Sequence, residues 1–152
     1  YQKKFSKEKF KVFHPGGNIG DSLLLVKDIM VTGNKIPKIN FKENIKKALK
    51  EMNQKKLGIV VILKNKFIKG LVTDGDLRRE LKDFSSNQNL KKFISKTPLS
   101  VNENMPVSKA LSIMNEKKIT SLLVVSDKDQ KRKNKILKGI IHIHFILKNG
   151  IK

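Results

Sequence analysis

The sequence of 152 residues contains no cysteine, no tryptophan and a single tyrosine. The lack of cysteine excludes disulfides, thiolate metal sites and cysteine nucleophiles. No apolar run approaches the roughly 20 residues that a membrane-spanning helix needs, and the first residues lack the apolar stretch of a signal peptide. We therefore expect a soluble, cytoplasmic protein without a membrane partner.

Acidic residues are also scarce, because 13 Asp and Glu stand against 34 Lys and Arg, which gives a net charge of +21. A field this positive attracts nucleic acid, phosphorylated metabolites or other anions. The basic residues are spread evenly along the chain, however, and the aromatic residues that would stack on bases make up only 6%. This distribution disfavours a basic nucleic-acid-binding domain, which stays open as an alternative.

An internal repeat divides the sequence into two similar halves. In each half, apolar residues recur at positions i, i+3, i+4 and i+7, which is the spacing of one buried helix face. The residues with this spacing are Ile45, Ala48, Leu49 and Met52 in the first half and Val107, Ala110, Leu111 and Met114 in the second. We expect Asn44 to be the N-cap of the first helix and Pro106 to be the first helical residue of the second.

Short runs rich in β-branched residues follow each helix and predict buried strands. The predicted strands lie near 36–39, 58–63 and 67–73 in the first half and near 99–101, 120–125 and 136–142 in the second. Closing helices are predicted to begin at Asp74 and Ile143. The order strand, helix, strand, strand, helix therefore occurs twice, and we predict an α+β fold of two β-α-β-β-α modules related by a pseudo-two-fold axis.

The halves differ in the loop between their last two strands. In the second half this loop, residues 127–135, contains no apolar residue, and we expect it to be a solvated hairpin tip. Residues 85–89 are all polar and are predicted to link the halves. Because one half alone has little core, we expect the two to pack together.

The order of elements and two motifs resemble the CBS domain, named for its occurrence in cystathionine β-synthase. Residues 70–76, Gly-Leu-Val-Thr-Asp-Gly-Asp, match the family signature Gly-apolar-x-Ser/Thr-x-x-Asp, and residues 119–125 resemble the strand before it. The resemblance covers roughly residues 28–150. It implies tandem CBS modules, which bind regulatory nucleotides in the cleft between them and tend to form dimers of pairs.

A narrower resemblance is to bacterial arabinose-5-phosphate isomerases, which join a sugar isomerase domain to a C-terminal CBS pair. It rests on residues 13–20, 23–30 and 73–79. It implies three regions, which are a remnant of the isomerase domain with its linker at 1–27, a first CBS module at 28–84 and a second at 85–152. Too little of an isomerase domain is present to enclose a substrate. The resemblance therefore implies that this chain alone is not an enzyme.

Thr73 and Asp76 are the strongest candidates for ligand contacts. In the family, the hydroxyl faces a ligand phosphate or ribose, and the carboxylate accepts hydrogen bonds from ribose hydroxyls, as an acceptor-only group can. The competing interpretation is helix capping by Asp74 or Asp76, which is compatible with binding. Arg78 and Arg79 point about 100° apart on the following helix, so only one of them easily faces a pocket. Either a contact to phosphate or carboxylate or simple solvation fits them.

The second half departs from the signature, because His142 stands in the place of Thr73 and Phe145 in the place of Asp76. A phenyl ring cannot hold a ribose diol, so we expect one ligand per pair. Thr120, Ser121 and His142 complete the predicted ligand-binding set. His142 and His144 share a strand face, but a zinc site needs three or four ligands, and no metal is predicted.

His14 matches a position that the isomerase family uses in acid–base chemistry, to which imidazole is suited. No complete catalytic site is predicted around it, and no cofactor is required.

The implied function is allosteric regulation of an attached arabinose-5-phosphate isomerase, which feeds synthesis of the lipopolysaccharide sugar Kdo. The expected effector is CMP-Kdo, the activated end product of that pathway, with AMP or ATP as the alternative. The expected protein partners are the isomerase domain and a second CBS pair in a homodimer. Two other functions stay open, a structural oligomerisation module and a nucleic-acid-binding domain.

Overall fold

The computed structural model describes residues 24–81, 90–93 and 98–151. Its helices are α1 (Val26–Ile29), α2 (Ile45–Lys55), α3 (Asp74–Leu81), α4 (Val107–Lys117) and α5 (Ile143–Lys148). Its strands are β1 (Lys38–Asn40), β2 (Ile59–Lys64), β3 (Phe67–Thr73), β4 (Ser100–Asn102), β5 (Ser121–Val125) and β6 (Gly139–His142). Short 3₁₀ helices occur at Gly33–Lys35, Lys91–Phe93 and Asp127–Asp129. The predicted linker at 85–89, the boundary at 84/85 and His14 lie outside the described residues.

Module 1 contains β1, α2, β2, β3 and α3, and module 2 contains β4, α4, β5, β6 and α5. Each module has a three-stranded sheet in which the first strand pairs parallel with the second and the second pairs antiparallel with the third. The parallel pair requires a crossover, and the amphipathic helix α2 or α4 provides it. The predicted α+β fold of two β-α-β-β-α modules is confirmed.

The helix termini follow from their sequences with one correction. The Asn44 side chain accepts a hydrogen bond from the Lys47 backbone N–H at 3.0 Å and caps α2, as predicted. Pro106, however, is the N-cap of α4 and not its first helical residue. Its ψ of 139° is extended, while its carbonyl already accepts the Ala110 N–H at 3.2 Å. The prediction placed the start of the helix one residue too early.

Most of the loop at 127–135 is exposed, as predicted, but two of its residues are fixed in the fold. Asp129 within it is buried, with 3% of its surface exposed, and forms an ion pair with Arg132 at 3.3 Å. At its end, the Lys135 carbonyl accepts a hydrogen bond from the Ile68 N–H of module 1 at 2.9 Å. Because residues 135–136 pair with the edge of β3, strand β6 begins at Gly139 and not at the predicted residue 136.

Among the described residues, three apolar clusters form the core. One lies inside each module and is closed by the predicted faces of α2 and α4. The third is shared, because it joins residues of both modules into one interface. Its buried members are Ile36, Leu57, Ile59, Val61, Leu123 and Ile140. The modules therefore pack through their sheets, and the start of β3 bonds to module 2 at the Phe67–Ile136 bridge.

Residues 24–31, which we call the strap, precede module 1 but pack on module 2. Val26 is fully buried in the module 2 core, and Val31 pairs with Ile140 of β6. The third strand of each sheet thus bonds to chain from the other half of the sequence. In the part of the chain that the structure describes, no helix is long and apolar enough to cross a membrane.

Candidate ligand-binding site

The junction between β3 and α3 is built by two reciprocal hydrogen bonds. The Asp76 carboxylate accepts the Thr73 backbone N–H at 3.0 Å, and the Thr73 hydroxyl accepts the Asp76 backbone N–H at 3.1 Å. This arrangement is a capping box, in which two otherwise unpaired donors of the first helical turn are satisfied by side chains. The capping that the sequence left open as an interpretation is therefore present, with Thr73 and Asp76 as its two members.

Asp76 carries a stable negative charge at this junction. Burial alone would raise the pKa of its carboxyl, but hydrogen bonds from Thr73 and Arg79 and the charge of Arg79 outweigh it and lower the pKa. Arg79 Nη2 lies 2.6 Å from Asp76 Oδ1, and 26% of the Asp76 side chain remains exposed. The carboxylate is therefore ionised at neutral pH and still accessible to a ligand.

Asp74 and Arg78 form a second ion pair on the outer side of α3. Both side chains are more than half exposed, so the pair contributes little to stability. The Asp74 backbone N–H donates to the Gly58 carbonyl at 2.9 Å, which fixes the start of α3 against β2. Of the predicted residues in module 1, the structure brings Thr73, Asp76 and Arg79 together and directs the Asp74 carboxylate towards Arg78.

The corresponding junction of module 2 keeps the backbone geometry but changes the chemistry. The Ile143 N–H donates to the Thr120 carbonyl at 2.8 Å, as Asp74 does to Gly58. His142 is the N-cap of α5, and its Nδ1 accepts the His144 N–H at 3.0 Å. Burial, helped by the charge of His144, lowers the pKa of His142. His142 is therefore neutral at physiological pH, which this hydrogen bond requires.

Phe145, in the place of Asp76, packs against the shared cluster between the modules. Its ring meets His142 edge-on, with ring centroids 6.3 Å apart. Thr120 is exposed, whereas the Ser121 hydroxyl is buried and has no hydrogen-bond partner among the described residues. Ser121 lies directly opposite His142 in the β5–β6 register. The second junction thus holds an imidazole and a serine hydroxyl but no carboxylate.

No group of three metal-ligating side chains occurs within residues 24–81, 90–93 and 98–151.

Sequence reasoning missed the contact between the strap and Gly139. A β-carbon at Gly139 would lie 2.7 Å from both the Met30 sulfur and the Val31 carbonyl oxygen. No local sequence pattern indicates which segment passes over this glycine.

Two modules with the same order of elements, the first with a capped strand–helix junction, define the class of protein. The sequence profile of the CBS domain matches residues 26–83 and again residues 90–148. The chain therefore belongs to the CBS domain family and carries a tandem pair of its modules.

The relatives of this chain are longer proteins. The chain is 37% identical over 151 residues to the arabinose 5-phosphate isomerase KdsD of Yersinia pestis, covering 97% of this chain and 44% of that protein. It is 33% identical over 151 residues to the uncharacterized protein RP505 of Rickettsia prowazekii, covering 99% and 45%. The chain spans less than half the length of these relatives. The residues that align with these relatives form the CBS pair.

Solved structures share the fold. The CBS domain pair of protein MJ0100, in complex with 5′-methylthioadenosine and S-adenosyl-L-methionine, has a TM-score of 0.68 at 19% identity, covering 82% of this chain and 94% of that one. CBSX2 of Arabidopsis thaliana, in complex with AMP, has a TM-score of 0.67 at 19% identity, covering 83% and 95%. At this identity the likeness shows the fold alone.

Proposed function

We propose that this CBS pair is an effector-sensing module that binds a nucleotide-bearing metabolite at the Thr73–Asp76 junction and regulates an arabinose-5-phosphate isomerase to which it is joined. The observation that carries the proposal is the ionised, accessible Asp76 carboxylate in the capped junction between β3 and α3. Thr73 lies opposite Ile59, which belongs to the shared cluster. A ligand at this junction would therefore contact a residue whose strand partner belongs to the interface between the modules.

The acceptor capacity of Asp76 suits a ribose. An ionised carboxylate offers about four lone-pair positions on two oxygens. The Thr73 N–H and the Arg79 guanidinium use one oxygen each and leave further positions on both. A vicinal diol presents two neighbouring hydroxyl donors, which matches this remaining capacity.

Positive groups beside the Asp76 carboxylate suit the phosphate of a nucleotide-bearing ligand. Arg79 is 70% exposed and can exchange its contact to Asp76 for one to a phosphate or carboxylate of the ligand. Gly75 leaves the first turn of α3 open next to Thr73 and Arg79. A β-carbon there would meet Arg79 Nη1 at 3.6 Å and Thr73 Oγ1 at 3.8 Å, which are ordinary contacts. Packing alone therefore does not require a glycine, whereas close approach of a ligand to the backbone does favour one.

The two effector candidates share a ribose and a phosphate. The solved relatives with AMP or adenosine derivatives support an adenine nucleotide. We favour CMP-Kdo, because it is the activated end product of the pathway that arabinose 5-phosphate feeds, and its additional carboxylate suits a chain with a net charge of +21. We also propose that the pair functions in the cytoplasm as a homodimer, and that it binds one ligand per pair because Phe145 replaces the second carboxylate.

Thermal unfolding of the chain with CMP-Kdo, CMP, AMP, ATP and a short oligonucleotide tests the proposal. A ligand at about 100 times its dissociation constant should add about 2.7 kcal/mol. The gain should disappear in Asp76→Asn and persist in Glu116→Gln, which removes an exposed carboxylate from α4 in the other module. Stabilisation by none of these compounds would favour the structural oligomerisation module. A gain with the oligonucleotide alone that collapses with salt would indicate nucleic-acid binding.

A further inference from the structure

The strap, residues 24–31, is held on module 2 by backbone hydrogen bonds along most of its length. At its start, the Val107 N–H donates to the Leu24 carbonyl at 2.9 Å, and the Val26 and Lys27 N–H groups donate to the Met105 and Glu103 carbonyls at 2.8 and 2.9 Å. At its end, Val31 and Ile140 exchange two hydrogen bonds, of 2.8 and 3.1 Å. The strap therefore pairs with module 2 although it precedes module 1 in sequence.

Two side-chain features make this contact specific. Val26 is fully buried in the module 2 core, and the Asp28 carboxylate accepts the Leu25 N–H at 2.8 Å, which closes the short helix α1. Met30 and Val31 cross Gly139 so closely that no β-carbon fits there, with 2.7 Å to both the Met30 sulfur and the Val31 oxygen. Any residue other than glycine at this position must push the strap away from β6.

The strap continues without a break into the surroundings of the proposed effector site. After a 3₁₀ turn, Ile36 enters the shared cluster beside Leu57 and Ile59, and Ile59 pairs with Thr73. In the other direction, β6 carries the strap at Ile140 and caps α5 two residues later with His142. The strap thus leads from module 2 to the shared cluster, in which Ile59 is the strand partner of Thr73.

From this continuity we infer that the strap is the output element of the sensor: effector occupancy at the Thr73–Asp76 junction shifts the docking of residues 24–31 on module 2. The inference rests on the proposed function and adds the route by which binding reaches the chain that precedes the pair. Linkage then requires the reverse effect, so that loosening the strap changes effector affinity by the same factor.

The experiment measures amide hydrogen exchange and effector affinity on the whole chain, with AMP and CMP-Kdo as probes. The reporter amides are those of Val26, Lys27, Val31 and Ile140, all of which donate in the strap contact. Gly139→Ala should speed their exchange at least about tenfold and leave the β2–β3 amides of module 1 unchanged. Val31→Pro, which removes one donor without adding a clash at Gly139, should speed exchange equally at the three reporter amides that remain, Val26, Lys27 and Ile140.

Ser112→Gly is the matched control, because it weakens α4 of module 2 at an exposed position away from the strap. In the wild type, the probe that binds should change exchange at Val31 and Ile140, and Gly139→Ala should change its affinity by at least about fivefold. Calorimetric binding with no change at these amides and equal affinity in Gly139→Ala would overturn the strap as output element while leaving the sensor intact. Absence of binding by both probes, together with no stabilisation by CMP or ATP in the thermal assay, would overturn the sensor and this inference with it.

Discussion

Asp76→Ala should destabilise the protein at neutral pH through loss of the capping box. The substitution removes the acceptor of the Thr73 N–H and the partner of Arg79. A lost cap of this kind costs about 1 to 2 kcal/mol. Because Arg79 is 70% exposed, its ion pair contributes only a minor part of that loss. For a chain of this size the melting temperature should fall by about 3 to 6 °C.

The pH dependence separates this mechanism from a general packing defect. The pKa of Asp76 is lowered in the folded state, so its contribution is present above about pH 4, the ordinary pKa of an unfolded aspartate, and is lost as pH falls through the lowered value. Urea unfolding of wild type and Asp76→Ala should therefore give free energies that converge in acid. Glu116→Gln should match the wild type throughout. A constant difference at all pH values, or none at pH 7, would refute the capping mechanism.

Three further predictions concern other elements. Asn44→Ala should cost about 1 kcal/mol in urea unfolding, because it removes the cap of α2, and Asn44→Ser should restore most of it. Burial and the charge of His144 lower the pKa of His142. Wild-type stability should therefore decline as pH falls from about 6.5 through that lowered value. His142→Asn, which retains a capping acceptor, should show a flatter pH profile in the same assay. Leu123→Ala should cost about 2 to 5 kcal/mol of unfolding free energy and weaken the interface between modules. The comparison variant is Leu122→Ala, which empties the module 2 core. Equal separation of the modules in both variants would contradict this assignment.

Most of the fold was predictable because its signals are local. The faces of α2 and α4 follow from apolar spacing, and the starts of α3 and α5 at Asp74 and Ile143 were predicted correctly. The error at β6 arises because Lys135 and Ile136 pair with module 1, and a contact between distant segments leaves no periodic pattern in sequence. Burial of Asp129 was missed for a related reason, since a loop without apolar residues normally stays solvated.

Part of the candidate site could likewise be predicted from local sequence, and part could not. The Thr73, Asp76 and Arg79 contacts join residues three apart on one helical turn, so their proximity follows from sequence spacing. The position of Phe145 in the shared cluster and the crossing of the strap over Gly139 depend on how two modules meet. The resemblance indicated that residue 145 lacks a carboxylate, but only the structure shows what the ring contacts.

The third strand of each sheet pairs with chain from the other half of the sequence, and this pairing limits where such proteins can be cut and recombined. Strand β6 is bordered by chain from before module 1, and strand β3 by chain from before β6. A single excised module would therefore carry an uncovered sheet edge, which invites aggregation or strand exchange. A protein severed between residues 81 and 90 should instead hold together as two complementary fragments. For chimeras within the family, the transferable piece is the whole pair together with residues 24–31.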